Sequence, residues 1–351
     1  MKTSNEILDR INAFIEQLPY ERKPYSLYEP IKYVLSLGGK RIRPALMLLS
    51  YQLYKDQPDD ILMPAVALET YHNYTLLHDD LMDNADLRRG HATVHKRWDA
   101  NTAILSGDSM LVLAYERLLS FFNTQHPTPN TQHPTPSTQH PTPSTQHPTP
   151  NTQHQILALF TETALQIGEG QQYDMEFELR NDVTEDEYIE MIRLKTSVLL
   201  ACAMKMGAIL AGASDADADN LYKYGEQIGL AFQLQDDLLD VYGDPKVFGK
   251  AIGGDITSNK KTYMLINALL RADRQQQAEL QHWISAKDFD RKEKIEAVTR
   301  LYNQIGIRQL CEEKINFYFE QAKQYLARID VDDERKQPLV DFTNEMMHRD
   351  K

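Results

Sequence analysis

Two aspartate clusters carry most of the chemistry this chain could perform: Asp79-Asp80-Leu81-Met82-Asp83 and Asp236-Asp237-Leu238-Leu239-Asp240. Both read DDxxD. On a helix an i, i+4 pair rises ~6 Å along the axis and keeps to one face. Each cluster therefore offers hard carboxylate oxygens to a divalent cation such as magnesium. Two such faces turned toward each other would cage a metal-bound polyphosphate. Helical phase extends both sets, with His72, Asp79 and Asp83 at i, i+7 and i+11, and Gln233, Asp236, Asp237 and Asp240 at i, i+3, i+4 and i+7. A lone DDxxD reads more simply as a solvated helix end.

The basic residues nearby change that reading. Asp86-Leu87-Arg88-Arg89-Gly90 places two guanidiniums just past the first cluster, and arginine suits bidentate phosphate binding. Gly38-Gly39-Lys40-Arg41-Ile42-Arg43-Pro44 forms a glycine-punctuated turn where backbone and cations could grip a second anion. Lys195, followed by Thr196, interrupts an apolar helix, while Lys250 and Lys260 bracket Gly253-Gly254-Asp255 after the second cluster. Singly each lysine is an ordinary surface charge. Together they are placed to meet one polyphosphate.

The elements that must position these residues are helical. Apolar residues recur at helical spacing at Ile7, Ile11 and Phe14, at Leu68, Tyr71 and Leu76, at Ile189, Ile192 and Val198, and at Ile228, Phe232 and Leu239. No sustained two-residue alternation occurs. Thr184 through Glu187 spells a capping box, and Gly243 then Pro245 stops the helix of the second cluster. The expected class is all-α, a single domain over 1–351 built as one large bundle of long helices around a central cavity. One stretch, 123–154, departs from the pattern: Thr-Gln-His-Pro-Thr-Pro recurs from Thr124, Thr131, Thr138 and Thr145, and Thr152-Gln153-His154 closes it. Two prolines per repeat block helix. The stretch is expected to be a flexible inserted loop, and a solvated loop explains its histidines and prolines without a ligand.

Composition narrows the partners. A net charge of −13 over 351 residues argues against a nucleic-acid surface. Cys202 and Cys311 are the only cysteines and lack metal-ligand spacing, which suits inert thiols in a reducing compartment. The amino terminus lacks a signal-peptide core, and no run approaches the roughly 18 apolar residues of a membrane span. A cytoplasmic protein without stable membrane insertion is expected.

In this order the motifs resemble those of the trans-isoprenyl diphosphate synthases, the polyprenyl synthetase family that includes farnesyl and geranylgeranyl diphosphate synthases. The resemblance rests on GGKRIRP, on DDLMD with RRG, on Gly170-Gln171-Gln172-Tyr173-Asp174, on Lys195-Thr196, on Phe232-Gln233-Leu234-Gln235-Asp236-Asp237, and on Gly249-Lys250 through Lys260-Lys261-Thr262. It covers nearly the whole chain outside the repeat. It implies condensation of isopentenyl diphosphate with a dimethylallyl, geranyl or farnesyl diphosphate. Asp79, Asp83 and Asp236 would ligate magnesium directly, three ions per active site with substrate bound, and Asp80, Asp174, Asp237 and Asp240 would support the ions and their waters. Arg88, Lys195, Lys250 and Lys260 would hold the allylic diphosphate, and Lys40, Arg43, His72 and Arg89 the isopentenyl diphosphate. Thr196 and Gln233 would line the space around the reacting carbons. A homodimer is implied as well.

The reaction explains the residue types. Breaking an allylic carbon–oxygen bond leaves a carbocation and a diphosphate, so metal and cations stabilise the leaving group and no protein nucleophile is needed. By the same resemblance Tyr74, five residues before Asp79, would floor the tail pocket with Thr75 beside it, giving all-trans products of C15–C20. The chain lacks the two-residue expansion of the first motif seen in bacterial farnesyl synthases, has His91-Ala92 after the RRG, and ends in His348-Arg349-Asp350-Lys351, which only loosely resembles a closing basic terminus. A class I terpene cyclase would share the architecture but need neither Lys40, Arg43 nor a second DDxxD. A non-catalytic subunit of a prenyl synthase would have lost ligand positions that are filled here.

Overall fold

The computed structural model describes residues 2–125, 150–243 and 252–347. Its backbone contacts fall into two compact units, one taking in Met1–Leu159 and Met206–Ala213, the other Phe160–Lys205 and Ser214–Lys351. The class is all-α, as expected.

The first unit begins with α1 (Ser4–Glu16), which opens on a Thr3–Glu6 capping box and buries Ile7, Ile11 and Ile15, a single face at four-residue spacing. It continues through α2 (Tyr25–Ser36), α3 (Ile42–Gln52), α4 (Leu62–Met82), α5 (Val94–Arg97) and α6 (Ala100–Gln125). Helix α4 packs against α3 and α6. Its first half is apolar on every side, with Ala65, Val66, Ala67 and Leu68 all buried in succession, as a helix enclosed by others must be. Ionisable residues gather at its other end, where Asp83 is the C-cap. The core thus anchors one end of α4 and presents the acidic end.

Among the described residues the one extended pairing is β1 (Leu87–Arg88) against β2 (His91–Ala92), antiparallel, with Arg88 opposite His91. Arg89 and Gly90 connect them at φ 54° and 78°. Two positive φ values in a two-residue loop match the twist that hairpins favour, and glycine takes the second position without a Cβ clash. The Arg-Arg-Gly signature is therefore a hairpin that sets the direction of both guanidiniums.

Helix α6 runs through Gln125 and α7 (Pro150–Leu179) starts at Pro150, so both margins of the 123–154 stretch are helical. The remainder of that loop expectation lies outside the described residues, as do Lys250, Pro245 and the terminal His348-Arg349-Asp350-Lys351.

The second unit holds most of α7 and then α8 (Glu185–Ile192), which starts at the Thr184–Glu187 capping box. A π-turn at Arg193–Ser197 leads into α9 (Val198–Ala211), whose residues from Met206 onward belong to the first unit. Next come α10 (Asp215–Tyr242), α11 (Gly254–Ser258), α12 (Tyr263–Arg271), α13 (Arg274–Ser285), α14 (Arg291–Ile305), α15 (Ile307–Ala327) and α16 (Asp333–Met347). Helix α10 ends at Gly243, which caps it in an extended conformation. It packs along α15, and Leu230, Leu234, Leu238 and Val241 join Tyr188, Met191, Ile307 and Cys311 in one core.

The segment Glu185–Ala211 is long and apolar enough to cross a membrane, contrary to the expectation that no run would approach that length. Its apolar window is 78% buried inside the protein, which is the property of a core helix. Cys202 and Cys311 are both fully buried, and burial pushes the Cys202 thiol up to about 12, so it stays protonated and inert.

Candidate active site

In the first unit the glycine turn, the hairpin and α4 come together. Gly38 and Gly39 have φ of 75° and 133°, and Arg41 follows at 45° as the left-handed N-cap of α3. The Arg89 guanidinium donates to the Gly38 carbonyl and lies so close that a Cβ on Gly39 would sit 2.7 Å from it. A Cβ there would push the flexible guanidinium aside, and the φ of 133° itself favours glycine. Arg43 Nη1 and His72 Nε2 are 3.0 Å apart, so the neutral ring accepts from the guanidinium. Loss of water around the ring, and then Arg43, Arg89, Arg88 and Arg41, hold His72 well below its ordinary pKa. Arg43, His72 and Arg89 thus form a positive cluster beside a turn rich in backbone N–H groups. Lys40 is exposed on the same turn.

The acidic end of α4 divides its labour. Asp80 is buried and accepts from Arg88 Nη2 at 2.6 Å and Nε at 3.0 Å, while Asp79 lies 3.6 Å from the same guanidinium. Burial pushes the Asp80 carboxyl up, with the Arg88 hydrogen bonds pulling against it. Asp79 is half-buried and Asp83 exposed. One turn before them Tyr74 stacks edge-on to His78 at 4.9 Å and tilts against Tyr71 at 5.4 Å, and Thr75 donates back to the His72 carbonyl.

In the second unit the π-turn is the organising feature. It passes between α7 and α10 at two glycines: a Cβ on Gly170 would lie 2.3 Å from Lys195 N, and one on Gly229 would lie 2.6 Å from Ser197 Cα. Both contacts are with backbone, so neither position tolerates a side chain without displacing the turn. One helical turn beyond each glycine a side chain grips what the glycine admitted. Asp174 accepts from Lys195 Nζ at 2.6 Å, and Gln233 Oε1 accepts from the Thr196 hydroxyl at 3.0 Å. Lys260 Nζ lies 3.8 Å from the same Asp174 carboxylate. Burial would raise Asp174, but Lys260 and Lys195 outweigh it and hold the carboxylate below its usual range.

The second DDxxD also splits by partner. Asp236 is half-buried. Asp237 is buried, accepting from Gln233 Nε2 at 3.0 Å and from the Tyr188 hydroxyl, and burial followed by the charge of Asp255 pushes its carboxyl up. Asp240 accepts at 2.9 Å from the Asp255 backbone N–H at the start of α11, which anchors the segment leading to Lys260. Asp237 thus accepts from protein donors on both oxygens and Asp240 on Oδ2.

Sequence reasoning missed several members of these networks. Arg41 lies inside the glycine motif, yet it points inward to Glu69 at 2.7 Å and to the Leu35 carbonyl, fixing the turn from beneath. Tyr188 carries only the signal of a buried aromatic. Asp255 stands in the Gly253-Gly254-Asp255 run without marking itself as a charge that acts on Asp237.

Among the described residues no three His, Cys, Asp or Glu side chains converge to hold an ion within the protein alone. The donors present still suit magnesium, which commonly takes one or two carboxylates and completes its shell with water and substrate phosphate. Asp79 and Asp83, one turn apart on α4, supply such oxygens, as does Asp236 on α10.

Comparison with known proteins identifies the family. The polyprenyl synthetase family model matches residues 24–302. The chain is 35% identical over 329 residues to a geranylgeranyl diphosphate synthase of Methanosarcina mazei, covering 93% of this chain and 92% of that protein. It is 36% identical over 298 residues to a short chain isoprenyl diphosphate synthase of Methanocaldococcus jannaschii, covering 85% and 82%. A crystal structure of a geranylgeranyl pyrophosphate synthase superposes with a TM-score of 0.88 at 38% identity, covering 100% of both chains. The chain belongs to the polyprenyl synthetase family, the trans-isoprenyl diphosphate synthases, and is a trans-prenyltransferase.

Proposed function

We propose that the protein condenses isopentenyl diphosphate with a short allylic diphosphate to give an all-trans C15–C20 prenyl diphosphate. The observation that carries this reading is the π-turn, which holds a cation, Lys195, and a hydroxyl, Thr196, each against a separate polar partner on a neighbouring helix. Such a turn suits an ionising substrate, with a cation for the leaving diphosphate and oxygen dipoles for the positive carbon.

Arg88, Lys195 and Lys260, with Lys250 by its place in the motif, hold the allylic diphosphate and take up charge as its carbon–oxygen bond breaks. Lys40, Arg43, His72 and Arg89 hold the isopentenyl diphosphate, for which neutral His72 offers a nitrogen to Arg43 and no competing charge. Thr196 and Gln233 line the reacting carbons, with the Gln233 amide oxygen toward the cation. The isopentenyl double bond attacks, and the proton lost passes to the departing diphosphate. Magnesium, held by Asp79, Asp83 and Asp236 and supported by Asp80, Asp174, Asp237 and Asp240, supplies Lewis-acid stabilisation of the leaving group when bound.

Tyr74 floors the tail pocket with Thr75 beside it, and its packing against His78 and Tyr71 supports a stop at short products. Leu105, Val112 and Leu119 are exposed on α6 at seven-residue spacing, a stripe that supports a second copy of the chain as partner. The unbridged, buried cysteines suit the cytoplasm. The deciding assay offers isopentenyl diphosphate with dimethylallyl, geranyl or farnesyl diphosphate and magnesium, and separates products by chromatography. Absence of any condensation product would refute the reading.

A further inference from the structure

We propose that Tyr188 is a positioning residue for the condensation, acting through Asp237 to fix which end of the Gln233 amide faces the reacting carbons. The inference rests on the role given above to Gln233. The two ends of a glutamine amide have nearly the same shape and opposite hydrogen-bonding character, so only surrounding donors and acceptors decide its orientation. Here three bonds in series decide it. The Thr196 hydroxyl donates to Gln233 Oε1 at 3.0 Å, Gln233 Nε2 donates to Asp237 Oδ1 at 3.0 Å, and the Tyr188 hydroxyl donates to Asp237 Oδ2.

Orientation matters because the amide ends act oppositely on a carbocation. An oxygen stabilises positive carbon, whereas a reversed amide would aim N–H dipoles at it. Tyr188 anchors the series. It is 1% exposed on α8 and packed in the same core as Met191, Leu234 and Leu238, so its hydroxyl is placed by the core and not by solvent. Asp237, 5% exposed, has little water to replace that donor. Without it Asp237 is held through one oxygen alone and can rotate about its own side-chain bonds, so the partner of Gln233 Nε2 is no longer fixed in place.

The test is steady-state kinetics on the full chain with magnesium, isopentenyl diphosphate and geranyl diphosphate. Tyr188→Phe, which removes one oxygen, is expected to lower kcat roughly ten-fold, with KM for isopentenyl diphosphate within two-fold of the parent and helical circular dichroism retained. In a Gln233→Ala background the same change is expected to alter kcat less than two-fold, because no amide remains to orient. Replacement of Tyr188 by 4-aminophenylalanine, which keeps an N–H donor in place, is expected to restore kcat to within two-fold. Should Tyr188→Phe fail to fold, this donor-retaining variant carries the test, and a ten-fold loss in it overturns the proposal. An undiminished kcat in Tyr188→Phe, or an equal loss with and without Gln233, also overturns it while leaving the reading of Gln233 intact. A fully active Gln233→Ala overturns both.

Discussion

The Arg41 guanidinium and the Glu69 carboxylate meet at 2.7 Å with their side chains only 3% and 2% exposed, a sealed ion pair beneath the turn that carries Lys40 and Arg43. Removing one member strands the other charge in the interior, which typically costs about 3–5 kcal/mol. Glu69→Gln is therefore expected to lower stability by about that amount in urea unfolding, and Arg41→Met with Glu69→Leu to recover most of it. A Glu69→Gln protein as stable as the parent would contradict the assignment.

Asp79 and Asp236 are the carboxylates whose loss should matter most to turnover. Asp79→Ala and Asp236→Ala are each expected to reduce kcat by at least roughly a thousand-fold with helical content unchanged. Chelation by EDTA should abolish turnover reversibly on return of magnesium. Near-normal rates in either variant would remove that residue from the metal set.

Tyr74 stands against His78 and Tyr71, and in its proposed place as the floor of the tail pocket its trimming would deepen that pocket. Tyr74→Ala is expected to lengthen the main product by at least one isoprene unit, read by chromatography after dephosphorylation. The same product spectrum in both proteins would exclude Tyr74 as the floor.

His72 links the site to pH. Its pKa is held well below 6.5 in the fold and returns to that value in the unfolded chain, so below pH 6.5 the unfolded state binds more protons. The neutral ring therefore contributes its full stability above that pH and loses it progressively as pH falls. Urea unfolding at about pH 7.5 and about pH 5.5 should show a larger loss in the parent than in His72→Gln. Equal losses would show that His72 is protonated in the folded protein.

What the sequence disclosed, and what it hid, follows from where partners lie along the chain. The acidic clusters, the arginine hairpin and the glycine turn were legible because each packs its chemistry into a few consecutive residues. The all-α class was legible because apolar spacing is local as well. Arg41 with Glu69 and Tyr188 with Asp237 were not, since they join residues 28 and 49 positions apart whose own surroundings read as ordinary core. The Glu185–Ala211 stretch is masked in the sequence because its charges, Lys195 among them, break the apolar run while its average hydropathy stays high. Gly170 and Gly229 gave no sign of their purpose, because the backbone each admits belongs to a distant segment.

The π-turn at Arg193–Ser197 has a consequence for inheritance. Such a turn closes its hydrogen bonds over one residue more than the helix around it, so the register of the flanking helices depends on how many residues it holds. Losing a single residue from it would rotate everything on one side by about 100° relative to the other, carrying Lys195 away from Asp174 or Thr196 away from Gln233. Descendants of this chain are therefore held to the length of the turn as strictly as to Lys195 and Thr196 within it.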